Sequence, residues 1–267
     1  MELIRLQNVT KKYDGKSVLS NISQVFQKDT SIAFLGANGC GKSTLLKLIA
    51  GLISPDSSQV SYASPLLFHY VPEKFPSTPL TAREYLSRMG AIGGMDCIRA
   101  KHRVETLAED FFLDGLLDTR MPVLSKGSLQ KVGVIQAFLQ KPDVLLLDEP
   151  LSGQDAKSQS VFLEKVNYLQ KEGVTLFMAC HEPRLVDAIA EISYVLVDGE
   201  LTIYKPKITA IYSLLLENPG HLQPDDKMSK SGRYYKLQLK EEDCDKQLAP
   251  LLMQGWKLRF MERIEKE

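Results

Sequence analysis

Gly36-Ala37-Asn38-Gly39-Cys40-Gly41-Lys42-Ser43-Thr44 places three glycines, a lysine and two hydroxyls in one short run. Glycines let the chain turn so that successive backbone N–H groups point inward at phosphate oxygens. Lys42 would add a point charge, and Ser43 a hydroxyl for magnesium. The apolar run Ser31-Ile32-Ala33-Phe34-Leu35 before the loop predicts a strand. Leu45-Leu46-Lys47-Leu48-Ile49-Ala50 after it predicts a helix, whose N-terminus favours an anion. Strand, G-x-x-x-x-G-K-[ST] loop and helix together imply that the chain binds a nucleoside triphosphate.

A second run, Val144-Leu145-Leu146-Leu147-Asp148-Glu149-Pro150, ends an apolar stretch in two carboxylates. It predicts a buried parallel strand with Asp148 at its carboxyl edge, where α/β sheets bind ligands. Asp148 there can hold Mg²⁺ as a hard oxygen donor. Glu149, aimed differently, suits polarising the water that attacks a terminal phosphate. His181 follows a further apolar run, Val174-Thr175-Leu176-Phe177-Met178-Ala179.

These residues must be positioned by alternating strands and helices. Residues 1–30 read as strands around a turn at Tyr13-Asp14-Gly15. Thr81 and Glu84 have capping-box spacing before a helix, Arg103–Leu107 reads as a second helix, and Gly90, Gly93 and Gly94 are expected to break the two apart. Ser128–Leu139 and Val161–Leu169 read as helices, and Tyr194–Val197 with Leu201–Tyr204 as a hairpin around Asp198-Gly199-Glu200. The expected class is α/β with a mostly parallel core sheet. Beyond residue 205, Ile208–Leu216 is expected to be a helix and 219–232 a linker. Residues 233–267 read as a small β-α-β extension, too short to bury much core alone.

Composition bounds the function. With 267 residues, 44% hydrophobic and 25% charged, the chain suits a soluble globular fold with an appendage. Lys+Arg and Asp+Glu balance at 33 each, so no basic field points to nucleic acid. Cys40, Cys97, Cys180 and Cys244 form no C-x-x-C pair, which argues against a zinc site and fits a reducing compartment. The first residues do not have the pattern of a signal peptide, and no apolar stretch reaches membrane-spanning length.

Over residues 1–205 the chain resembles the nucleotide-binding subunit of ATP-binding-cassette (ABC) transporters. Leu124-Ser125-Lys126-Gly127-Ser128 stands at that family's Leu-Ser-Gly-Gly-Gln signature, followed by Gln130-Lys131-Val132. Ser152-Gly153-Gln154-Asp155 stands at the D-loop, His181 at the switch histidine, and Tyr13 at the aromatic that stacks on adenine. Glu73, in Tyr70-Val71-Pro72-Glu73, stands where many members have glutamine. Each motif alone is ordinary; order and spacing give the set its weight.

The resemblance implies a phosphate-loop cassette with an N-terminal antiparallel β-subdomain and a helical subdomain at about 74–127. It implies ATP and Mg²⁺ as cofactors, with Gly36, Asn38, Gly39, Cys40, Gly41, Lys42, Ser43 and Thr44 around the phosphates. Ser43, Asp148 and Glu73 would serve the metal, and Glu149, His181 and Lys42 catalysis. Ser125, Gly127 and Asp155 would serve a second cassette, in a homodimer on the cytosolic face of a membrane permease. The Phe75-Pro76 region would line the permease groove. Tyr-x-Pro-Glu with Ser-Lys-Gly resembles an exporter branch. A soluble, non-transport ATPase, such as one for cofactor assembly, stays open on sequence alone.

Overall fold

The computed structural model describes residues 1–181, 183–204, 211–220, 222–225 and 227–264. The chain divides into two compact units, Met1–Tyr204 and Lys205–Glu267.

The first unit opens with β1 (Glu2–Tyr13) and β2 (Lys16–Gln27), joined at Asp14-Gly15. Both turn residues have positive φ, as a tight hairpin requires. After β3 (Ser31–Leu35) and α1 (Lys42–Ile49) comes β4 (Ser57–Tyr62). β4 joins β1 on the side away from β2 to give an antiparallel sheet of order β2-β1-β4.

β5 (Phe68–Val71) leads into the helices α2 (Ala82–Ile92), α3 (Cys97–Asp110) and α4 (Lys126–Phe138). Then β6 (Val144–Asp148), α5 (Ala156–Lys171), β7 (Thr175–Ala179), α6 (Pro183–Ile189), β8 (Ile192–Val197) and β9 (Glu200–Ile203) complete the unit. The core sheet has order β5-β6-β7-β3-β8-β9, parallel except for the final β8–β9 hairpin.

This sheet explains the unbroken apolar runs. Every residue of β6 and β7 is buried. Along β6, Leu145 and Leu147 enter the cluster formed with α2, α3, α4 and α5. Val144 and Leu146 enter the opposite cluster, with α1 and the antiparallel sheet. A strand covered on both faces has no polar side, so alternation disappears. Phe26 anchors the second cluster, its ring 4.9 Å from Phe177 in an edge-on contact.

Several helix ends follow the sequence signals. Thr81 Oγ1 accepts from the N–H of Glu84, whose carboxylate accepts from the N–H of Thr81, completing the capping box. Gly93 closes α2 and Gly94 turns with positive φ. Gly90, expected to break the helix, lies inside it instead. A Cβ there would sit 3.1 Å from that of Ala100, so this glycine lets α2 and α3 pack closely. Pro76, in the region expected to line the permease groove, is exposed, whereas Phe75 beside it is buried. Phe75 is 8% exposed, and a Cβ on Gly133 would come within 2.4 Å of its ring. Its ring also meets Tyr85 edge-on.

In the second unit, β10 (Ile211–Glu217), β11 (Ser229–Ser231), β12 (Tyr234–Lys240) and β13 (Lys257–Ile264) form an antiparallel sheet of order β11-β12-β10-β13. The helix α7 (Glu241–Met253) connects β12 to β13. The helix expected over Ile208–Leu216 is thus a central strand from Ile211 onward; residues 208–210 lie outside the described ones. The expected linker contributes β11. The β-α-β reading of 233–267 meets β12, α7 and β13, with β10 inserted between the two strands. Leu214, Leu216, Leu237, Leu239 and Trp256 supply this unit's own core.

Candidate active site

The carboxyl ends of β3, β6 and β7 lie side by side in the core sheet, and the chemistry-bearing residues follow directly from them. Gly41, with φ of 112°, is the N-cap of α1. A side chain there would meet Val18 at 2.8 Å, so the loop needs glycine for both its turn and its packing. Lys42, 7% exposed, donates from Nζ to the carbonyls of Gly36 (2.8 Å) and Ala37 (3.0 Å). The loop's own backbone thereby holds the ammonium beside the glycine turn.

Asp148 ends β6 and is 4% exposed. Its Oδ1 accepts from Ser43 Oγ at 2.9 Å, and its Oδ2 from the hydroxyl of Tyr70, also at 2.9 Å. Burial, and next the charge of Asp148, push the Tyr70 phenol far above its usual range, so it remains a donor.

Glu149 is next, with a left-handed backbone (φ 48°) uncommon for a side chain of its kind. Its N–H is secured by the carbonyl of Ala179 at 2.9 Å. The turn sends the Glu149 carboxylate off the strand's line to His181, whose Nδ1 lies 2.9 Å from Oε1. A carboxylate acceptor requires that Nδ1 carry the proton.

A cleft of about 780 Å³ is lined by Tyr13, Asn38, Gly39, Gly41, Lys42, Ser43, Thr44, Glu73, Asp148, Glu149 and His181. Of the residues expected at the site, these come together. Gly36 stands behind the cleft as a carbonyl partner of Lys42, and Cys40 is half-buried outside the lining.

Ser125, Gly127 and Asp155 do not line the cleft. Ser125 caps α4, which starts at Lys126, two residues earlier than expected from sequence, and accepts from the N–H of Ser128 at 3.1 Å. Gly127 lies against the carbonyl of Gly153, where a Cβ would approach to 2.4 Å. Asp155 caps α5 and pairs with Lys131 at 2.9 Å. The Lys131 hydrogen bond, then those from Ser158, hold the Asp155 carboxyl well below its usual range.

Sequence reasoning did not assign a role to Tyr70, nor to Val18, Leu151, Gln154 and Gln159 on the cleft. Tyr70 reaches Asp148 only because β5 pairs with β6, setting Tyr70 beside Leu146.

The charged lining, apart from His181, comprises Lys42 against Glu73, Asp148 and Glu149. That balance repels a bare triphosphate and suits one accompanied by a divalent cation. The donors near Asp148 are oxygens, from Ser43 and Tyr70. That fits Mg²⁺, which usually takes one or two carboxylates and completes its shell with water and phosphates.

A phosphate-loop α/β cassette with this cleft defines a nucleoside-triphosphatase. The ABC transporter family profile matches residues 19–152. The Rickettsia bellii zinc import ATP-binding protein ZnuC is 31% identical over 184 residues, 67% of this chain and 76% of that protein. ZnuC of Photorhabdus laumondii is 34% identical over 190 residues, 70% of this chain and 71% of that one. A solved ATP-binding subunit of an ABC transporter superposes with a TM-score of 0.70 at 25% identity, over 76% of this chain and 90% of its own. A cassette solved as a dimer bound to ADP and phosphate gives 0.69 at 23% identity, over 76% and 98%, a likeness of fold. The chain belongs to the ABC transporter family and is an ATP-binding, ATP-hydrolysing subunit of such a transporter. Among the described residues no helix is long and apolar enough to cross a membrane.

Proposed function

We propose that two copies of this chain close head to tail on two ATP molecules and thereby drive a separately encoded permease from its cytosolic face. The supporting observation is the convergence of Lys42, Ser43, Asp148, Glu149 and His181 on one cleft that Ser125 and Gly127 do not line. In this reading Lys42 and the loop amides hold the phosphates, and Tyr13 stacks on adenine. Ser43 and Asp148 hold Mg²⁺, with Glu73 alongside. When bound, the ion neutralises charge on the phosphoryl group being transferred. Glu149 accepts a proton from the attacking water, and His181 orients that carboxylate through Nδ1. Ser125 and Gly127 meet the γ-phosphate held by the second copy, as a helix N-terminus favours an anion. Asp155 keeps the D-loop joined to α4.

For direction, uptake is the reading adopted here, because the relatives' names state zinc import. The export direction expected from Tyr-x-Pro-Glu and Ser-Lys-Gly draws no support from them. Cargo recognition belongs to the permease.

The test is to tag the Glu149→Gln variant, solubilise source-cell membranes gently with ATP, and identify what co-purifies. A polytopic membrane protein in near-equal amount is expected, and ⁶⁵Zn accumulation in vesicles carrying the wild-type pair checks uptake. Recovery of soluble partners alone would overturn the transport coupling, and ATP-driven ⁶⁵Zn loss the direction.

A further inference from the structure

Asp148 is almost fully buried, yet both of its oxygens are engaged by different elements. Ser43, at the start of α1, donates to Oδ1, and Tyr70, on the neighbouring strand β5, donates to Oδ2. A serine hydroxyl that gives its proton to a carboxylate keeps its lone pairs for a cation. The arrangement works only while the carboxylate plane keeps the orientation that sets one of its two equivalent oxygens on Ser43. An aspartate's terminal torsion is broad and nearly two-fold, so the carboxylate does not fix itself. Tyr70 removes that freedom: its ring packs in the cluster on the α1 side of the sheet, and its hydroxyl holds the second oxygen. We infer that Tyr70 is a positioning residue for magnesium, acting through Asp148 and touching neither nucleotide nor metal. The inference rests on the reading that Asp148 holds the ion.

The alternative to exclude is that the Tyr70 hydroxyl merely ties β5 to β6. The full-length chain is stripped of divalent ions with EDTA, exchanged into chelator-free buffer and loaded with trinitrophenyl-ATP, and then Mg²⁺ or Mn²⁺ is titrated. Tyr70→Phe should raise the half-saturating metal concentration about tenfold, as loss of a partner behind a metal ligand does. Nucleotide affinity in EDTA should stay at the wild-type value, while the melting temperature falls by a few degrees because a buried carboxylate oxygen loses its donor. Tyr70→4-aminophenylalanine, which keeps the shape and an N–H donor, should restore the wild-type metal response. If Tyr70→Phe fails to fold, Tyr70→4-cyanophenylalanine, an acceptor without a donor, replaces it. Equal loss of affinity with and without metal would make the hydroxyl structural and overturn the inference. Asp148→Asn separates the two readings. If it leaves the metal response unchanged, Asp148 does not hold the ion and both fail. If it weakens the response while Tyr70→Phe does not, only the role of Tyr70 fails.

Discussion

The phosphate-loop face and the signature face of the cassette are built in contrasting ways. On the first, short contacts converge on one cleft: Lys42 on its own loop, Ser43 and Tyr70 on Asp148, His181 on Glu149. On the second, Ser125 and Asp155 cap helices and Gly127 packs on the carbonyl of Gly153, and none of the three lines that cleft. One face gathers the charged and hydroxyl side chains expected to bind nucleotide. The other presents the Ser125 hydroxyl and backbone N–H groups at the N-terminus of α4. In the head-to-tail arrangement proposed above, a second copy would bring its signature face to the first face.

The contrast breaks if both faces respond alike to substitution. Glu149→Gln gives the largest effect: turnover should fall about 10²–10⁴-fold, the range for losing a positioned acid–base group. Nucleotide binding should change less than about twofold, because uniform binding does not depend on that group. Steady-state phosphate release and analogue titration measure the two quantities. Lys42→Ala should act on binding itself. Losing charge-assisted contacts worth about 1.5–3 kcal/mol weakens affinity roughly 10- to 150-fold. Comparable binding by this variant and the wild type would remove the phosphate-loop face from the argument.

Gly127→Ala sharpens the comparison from the other side. Its methyl group would sit 2.4 Å from the Gly153 carbonyl, so α4 and the D-loop must separate. Binding to a single chain should be unchanged, while turnover drops about tenfold or more, since misplacement of even ~1 Å can cost 10²-fold. Equal effects on both measurements would mean that the signature face contributes to the cleft of its own chain.

The two faces also differed in legibility. Lys42, Ser43, Asp148 and Glu149 sit in local runs whose strand, loop and helix context is written in the adjacent residues. Tyr70 was not legible in this way, because its role depends on β5 lying next to β6, although three helices separate them in the chain. Strand order is a property of the whole sheet. In the second unit, Leu214-Leu215-Leu216 reads equally well at a period of 2 or 3.6, and leucine favours helices. Tertiary pairing decided: Ile211–Glu217 became a central strand, with Leu214 and Leu216 fully buried and the intervening Leu215 only partly so. Gly90 misled because a glycine that breaks a helix and one that admits a neighbouring helix look the same in one dimension.

The smallest effect lies in the Lys131–Asp155 pair that joins α4 to the start of α5. Asp155 is half-exposed, so the pair adds little to stability, but its pH dependence has a definite sign. The carboxyl titrates near 3.9 in an unfolded chain and lower in the fold. Its contribution is therefore complete above about pH 4 and declines as pH falls toward the folded value. Asp155→Asn is the informative variant, because asparagine keeps an oxygen for the helix cap while losing the charge and the second oxygen that accepts from Lys131 and the Ser158 hydroxyl. The melting temperature should drop slightly at neutral pH, and the gap to wild type should narrow steadily in acid. A gap that stays constant from pH 7 down to strongly acidic conditions would mean that Lys131 contributes nothing through charge. The two helices would then be held by the cap and by the close approach of Gly127 to Gly153 alone.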